Sequence, residues 1–320
     1  MRVLIRLCLA LTMLGVCGHP GFAAFPDRAI HIVVPFPPGG PVDVVARIVG
    51  PKLGERLGQS VTIDNVAGDD GITGSELVAK SPPDGYTLLL ASSSHTIHSG
   101  TYSKLPFDTE KAFAPISLLA ASQLVLVVNP SLPVDSVEDL IAYAKSHPRK
   151  LHYASGGVGG PTQLAFVLFK ITTGAEIIRV PFDGGAAALD AVANDKAQVM
   201  LAPLVAALPM VQDGRLRALA VSGAHRAAAA PELPTIAETL PGFTAVVWFG
   251  VLAPAGTPAA VISRLSAAFD HIVHEPDTEK QFAALGGEPV GGSPATLAAL
   301  IGAEIPKWIR VAKEAGIRIE

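Results

Sequence analysis

One arrangement recurs along the chain and restricts the folds open to it: a short β-branched run, a turn rich in glycine, serine or proline, then apolar residues at helical spacing. Ile30-His31-Ile32-Val33-Val34 reads as a buried strand, Pro35 to Gly40 as its turn and Val42 to Leu57 as the helix. Val61 to Ile63 reads as a second strand, followed by the glycine-rich stretch Gly68 to Gly74 and a helix from about Ser75 to Lys80. Tyr86 to Leu90 is a third strand, ending in Ser92-Ser93-Ser94. β-Branched residues suit a pleated surface. Parallel strands need long crossover connections, so strands alternating with helices predict an α/β fold with parallel sheets and helices on their faces.

The pattern restarts after Ile116 to Val128, a long apolar strand or strand pair. Val137 to Ser146 reads as a helix with Ser136 as N-cap. Leu151 to Ala154 is a strand with the turn Ser155 to Gly160, leading into a helix from Pro161 to Thr172. Ile177 to Val180 is a strand that passes through Pro181-Phe182-Asp183-Gly184-Gly185 into a helix from Ala186 to Asn194. Val199 to Ala202 and Leu216 to Val221 are strands, and Pro258 to His274, Thr278 to Leu285 and Pro294 to Ala315 are the terminal helices. A chain of roughly 300 residues is at the size where single cores divide. The restart predicts two domains, 25–123 plus 223–320 and 124–222, joined near Gln123 and near Ser222. Two crossings make a hinge rather than a free tether.

The N-terminus has the order of a secretory signal: Arg2 and Arg6, the apolar run Leu7 to Val16, then small residues at Gly21 and Ala23. It is expected to span residues 1–24 and to direct the chain to the periplasm. The run is short of the ~20 residues of a membrane span, which weighs against an uncleaved anchor, and Val16 weighs against a lipoprotein at Cys17. Cys8 and Cys17, the only cysteines, both fall inside this leader, so the mature chain is expected to carry no disulfide, thiolate nucleophile or cysteine-bound metal. Removing Arg2 and Arg6 takes the formal charge from −4 to −6, and no basic block stands out to bind nucleic acid.

In open parallel sheets, ligands sit beyond the carboxyl ends of the strands. Phe36 to Gly40, Ser92 to Ser94, Ser155 to Gly157 and Phe182 to Gly185 all follow strands. Glycine lets a backbone approach a ligand, helix starts attract anions, and serine adds donors. Four such turns from two domains suit a carboxylate held by neutral donors, with Phe36 and Phe182 as walls from opposite domains. Asp43 and Asp183 read as helix caps, Asp183 also as a contact for a ligand amine. His95 and His98, three apart without nearby acids or cysteines, read as solvated loop rather than metal ligands. No Gly-x-Ser-x-Gly surrounds the serines, and Gly156 to Gly160 lacks the Gly-Lys-Ser/Thr ending of a phosphate loop. No catalytic residue, metal or cofactor is expected.

The segment Ile32-Val33-Val34-Pro35-Phe36-Pro37-Pro38-Gly39-Gly40-Pro41-Val42-Asp43 closely resembles the opening motif of the Bug-type receptors, the extracytoplasmic solute-binding proteins of tripartite tricarboxylate transporters. Pro83 to Leu89, Phe113 to Leu118, Tyr153 to Gly156, Val180 to Phe182, Gly214 to Val221 and Trp248 to Pro258 match the family in the same order. The resemblance implies a two-lobed periplasmic-binding-protein fold of the Venus-flytrap type II class, with a parallel-rich sheet in each domain. It implies a carboxylate gripped with bridging waters between two jaws: Phe36, Pro38, Gly39 and Gly40 on one side, Phe182, Gly184 and Gly185 on the other. Ser92, Ser93, Ser155 and Thr162 would complete the polar lining, and Asp43, Gly156, Asp183 and Pro203 the candidate set. The implied partner is a pair of membrane permease subunits, with a membrane signalling kinase as the alternative, and the receptor is expected to be a monomer. Phe182-Asp183-Gly184 departs from the family's Tyr, Lys or Asn, Gly, and Leu201-Ala202-Pro203 from its frequent Phe-Asp-Asn. Both departures point to a ligand less polar at its distal end than a tricarboxylate.

Overall fold

In the computed structural model, which describes residues 25–156 and 159–320, the chain runs β1 (Ile30–Val34), α1 (Pro41–Leu57), β2 (Val61–Asn65), α2 (Ile72–Ala79), β3 (Thr87–Ser92) and α3 (Ser94–Thr101). It continues through β4 (Phe113–Val128), α4 (Val137–Ser146), β5 (His152–Ser155), α5 (Pro161–Thr173), β6 (Ile178–Pro181), α6 (Gly185–Ala193), β7 (Val199–Pro203), α7 (Leu204–Gln212) and β8 (Arg217–Val221). It ends with α8 (Ile236–Thr239), β9 (Val246–Pro254), α9 (Ala259–Val273), α10 (Pro276–Ala284), β10 (Gly287–Pro289) and α11 (Pro294–Ala315). The leader expected over residues 1–24 lies outside the described residues.

The strand–turn–helix repeat produces the same arrangement twice. β1 lies between β2 and β3, parallel to both, and β5 lies between β6 and β7, parallel to both. Each set of three carries its helical crossovers on its faces. The antiparallel strand β9, absent from the sequence-based assignment, separates β3 from β4. β9 is an almost continuous apolar run, and such runs carry no periodicity to distinguish strand from helix. The sheet is therefore mixed, parallel at its outer parts and antiparallel around β4.

β4 is one continuous strand of 16 residues. Its first part pairs with β9 and β10, and residues from Leu124 onward pair with β7 and β8. Its side chains alternate between two cores of the second lobe, Leu124, Leu126 and Val128 in one and Val125 and Val127 in the other. That is the period of two expected of a strand buried on both faces. β1 does the same in the first lobe, with Ile30, Ile32 and Val34 facing Leu53, Leu88 and Phe269, while Val33 meets Leu89, Trp248 and Leu297.

Ser222 braces the junction. Its hydroxyl accepts from the Leu124 N–H at 2.9 Å and donates to the Ala245 carbonyl at 2.5 Å. The neighbouring Gln123 accepts from the Gly223 N–H at 3.0 Å and donates to the His225 carbonyl at 3.1 Å. Residues 223–245, placed with the first domain on sequence grounds, pack instead on the second lobe. Thr235 bridges to Val221, Phe243 meets Phe169 edge-on at 6.3 Å, and the Thr239 hydroxyl donates to Glu138 at 2.6 Å. The returning chain thus leaves the second lobe at Ala245, next to Ser222 in space but not in sequence.

The two histidines are not in a solvated loop. Both lie buried on α3. His95 Nε2–H donates to the Thr109 carbonyl at 3.0 Å, and its ring meets Phe113 edge-on at 5.0 Å. Burial pulls its pKa from 6.5 to about 4, against the pull of the Thr109 carbonyl. The folded state therefore binds fewer protons than the unfolded state between those values. The stabilisation is complete above pH ~6.5 and is lost as the pH falls towards 4, by up to about 3 kcal/mol. Thermal unfolding measured from pH 7 to 4.5 is expected to show this decline, and His95→Phe to flatten it. An equally steep decline in the variant would assign the effect to other groups.

Candidate functional site

The carboxyl ends of β1, β2 and β3 point to one side, so their turns meet there. Phe36 to Val42, Ser92 to Ser94, Val247 and Phe249 line a cavity of about 550 Å³, completed from the second lobe by Pro161. Strand pairing sets its floor: Phe249 lies beside Ser92 on β3, and Val247 beside Ser122 on β4. A second cavity of about 320 Å³ shares Gly39, Pro41, Val247 and Phe249 with the first and extends to Leu124, Pro203, Val205, Phe282 and Leu285.

The β1–α1 turn is held from below. Asp43 is only 2 % exposed. One carboxylate oxygen accepts from the Gly39 N–H at 2.9 Å and Arg47 Nε at 2.8 Å, and the other from Asn65 Nδ2 at 2.9 Å. The Arg47 guanidinium, with help from the Gly39 and Asn65 donors, holds the Asp43 pKa at about 2 despite its burial. Asn65 also donates to the Phe36 carbonyl at 3.1 Å. Asp43, expected among the ligand contacts, is thus committed to the turn itself. Arg47 and Asn65 were missed. Arg47 stands four residues after Asp43, a readable helical spacing, whereas Asn65 reaches the turn only through the β1–β2 register.

The same turn occurs in the second lobe. Gly39 (φ 82°) and Gly159 (φ 74°) both occupy the left-handed region that favours glycine. Gly40 (φ −77°, ψ 167°) and Gly160 (φ −78°, ψ 164°) then precede Pro41 and Pro161 at the first helical position. Asp43 accepts from the Gly39 N–H, and Gln163 accepts from the Gly159 N–H at 2.7 Å. Neither helix has a side-chain cap at its N-cap residue. The first-turn N–H groups of α1 and α5, with the positive ends of their dipoles, are thus presented as anion donors.

The expected sites divide as follows. Phe36, Pro38, Gly39, Gly40, Ser92 and Ser93 line the first cavity, and Pro203 lines the second. The Ser93 hydroxyl is buried and has no hydrogen-bond partner among the described residues. The Ser155 hydroxyl is 1 % exposed overall and accepts from Arg179 Nε at 2.7 Å. Thr162 is half-buried in the first turn of α5, beside Pro161. Gly156 packs against the backbone of Gly184 and Gly185, where a Cβ would come within 2.5 Å of the Gly184 carbonyl carbon. Phe182 leans on the second-lobe core, and Asp183, Gly184 and Gly185 are exposed. None of Phe182 to Gly185 lines either cavity; from the second lobe Pro161 lines the first, and Pro203 and Val205 line the second. The parallel β5–β6 pairing brings the turns after both strands to the same end of the sheet, side by side.

Two parallel-stranded lobes, a shared strand and a cleft at converging strand ends define a two-lobed solute-binding protein of the periplasmic-binding class. Residues 45–317 match the family described as "Tripartite tricarboxylate transporter family receptor". The chain is 34% identical to Protein BugT of Bordetella pertussis, over 100% of this chain and 99% of that one. Rpa4515 of R. palustris, solved with adipate, is 37% identical with a TM-score of 0.74 over 92% of this chain and 100% of that one. MatC from Rhodopseudomonas palustris, solved with bound malate, is 30% identical with a TM-score of 0.70 over 90% of this chain and 99% of that one. The chain belongs to this Bug-type family of tripartite tricarboxylate transporter receptors, whose members are periplasmic.

Proposed function

We propose that this chain is an exported receptor that captures a small organic carboxylate between its lobes, carries out no chemistry on it and presents it to membrane permease subunits. The observation that carries the reading is the pairing of an uncapped α1 N-terminus with the buried, unpartnered Ser93 hydroxyl on one cavity wall. Buried donors and acceptors are normally satisfied, so such a group marks a place for a ligand or water. Relatives solved with adipate and with malate support the choice of a carboxylate.

The lobes are proposed as 25–123 plus 246–320 and 124–245, the second boundary following the packing of residues 223–245 on the second lobe. Ligand that touches both lobes shifts the population towards a closed form. The receptor is proposed to act as a monomer. The N-terminal signal motif supports export to the periplasm.

A thermal-shift panel of small mono- and dicarboxylates tests the reading. A ligand at a hundred times its Kd is expected to stabilise the fold by about 2.7 kcal/mol, and it should be recovered unaltered. Stabilisation by amines or neutral sugars and by no carboxylate would overturn it.

A further inference from the structure

We infer that the cleft selects a carboxylate with a single charged end and an apolar body, rather than a di- or tricarboxylate. The inference rests on the carboxylate-receptor reading above and concerns the far end of the same site.

The two cavities adjoin, with Gly39, Pro41, Val247 and Phe249 in the lining of both. The donors border the first cavity, where the α1 N-terminus and Ser92 to Ser94 stand on one side and the α5 N-terminus at Pro161 on the other; none of them borders the second. Among the described residues, no charged side chain lines either cavity. Asp43, the nearest acid in the β1–α1 turn, is already engaged with Arg47. Away from the donors the wall is Leu124, Pro203, Phe282 and Leu285, and the hydroxyl of Ser122 there is spent on the Gly286 carbonyl at 2.8 Å.

A second carboxylate placed at this end would lose its water without gaining a cation or a set of donors. Taking an ionised group out of water is costly unless it is paired and hydrogen-bonded. An alkyl or aromatic group at the same place would gain from burial. The rim gives a second, independent sign. Val205 is 38 % and Leu285 39 % exposed, and both border this cavity. They are two of the five large hydrophobic residues exposed among the described residues. Exposed apolar side chains grouped around a cavity mark a surface that a ligand covers.

The test compares hexanoate with adipate, which share a six-carbon chain and differ in the distal carboxylate, with hexan-1-ol as the uncharged control. Calorimetry on the mature chain, freed of bound ligand by dialysis, is expected to give hexanoate at least tenfold tighter binding than adipate. Hexan-1-ol is expected to bind at least tenfold more weakly than hexanoate. Adipate equal to or tighter than hexanoate would overturn the inference and leave the carboxylate receptor standing. Hexan-1-ol as tight as hexanoate, or no binding by either acid, would overturn the receptor reading and the inference with it. Leu285→Lys places an ammonium at the rim and is expected to move the adipate-to-hexanoate affinity ratio at least tenfold towards adipate. An unchanged ratio would remove the distal end of the ligand from this cavity.

Discussion

Glu304→Ala is expected to destabilise the fold by about 3 to 5 kcal/mol, the cost typical of breaking a buried charge pair. Glu304 is 2 % exposed. Its Oε2 accepts from Trp248 Nε1 at 2.7 Å and from the Thr96 hydroxyl at 2.9 Å, and its Oε1 pairs with Lys307 Nζ at 2.9 Å. One carboxyl group thus ties α11 to β9 and α3. Alanine would leave the indole N–H without its acceptor and open a void among close-packed side chains. It would also loosen the serine turn, because the Ser93 N–H donates to the Trp248 carbonyl at 3.1 Å and Thr96 also bonds the Ser93 carbonyl at 2.9 Å. Scanning calorimetry should show a melting temperature lower by on the order of 10 °C. Glu304→Gln keeps an acceptor for Trp248 and should lose less. A loss below about 1 kcal/mol for the alanine variant would mean the cluster adds nothing net.

Asp43→Ala is expected to weaken ligand binding by roughly tenfold to a hundredfold. The carboxylate holds the Gly39 N–H and Asn65, and Asn65 holds the Phe36 carbonyl, so its removal frees residues 36–40. Ordering one backbone residue costs roughly 1 to 2 kcal/mol, and 1.4 kcal/mol is a factor of ten in affinity. Asp43→Asn keeps an acceptor for the turn and should lie between the variant and the parent. Calorimetry with the tightest carboxylate of the panel measures both. Unchanged affinity in Asp43→Ala would show that the turn is rigid without its anchor.

Much of the fold was readable because a strand with its turn and helix announces itself locally. The β-branched run at Ile30 to Val34 and the glycine pair at Gly39 and Gly40 settle β1 and α1 with no distant contact. β9 was not readable, because Val246 to Pro254 has neither alternation nor a flanking repeat to mark its place between β3 and β4. Phe36 to Gly40 and Ser92 to Ser94, which line the first cavity, follow strands marked by the same local pattern. Of the second-lobe turns, Gly184-Gly185 and Gly159-Gly160 look alike in composition, and composition alone does not separate the pair beside Pro161, which lines the first cavity, from the other. Proline after the glycines, at both Pro41 and Pro161, was the available signal. Asn65 illustrates the remainder. Its role depends on a register between strands that no local pattern encodes.

The continuity of β4 through the junction has a mechanical consequence. Its ladders engage both lobes on either side of Gln123 and Leu124, and Ser222 ties the returning chain to the same point. Rotation of one lobe against the other therefore twists a hydrogen-bonded ribbon, with no slack segment to take up the motion. The junction is therefore expected to resist twisting, which would limit how far the two lobes could swing against each other.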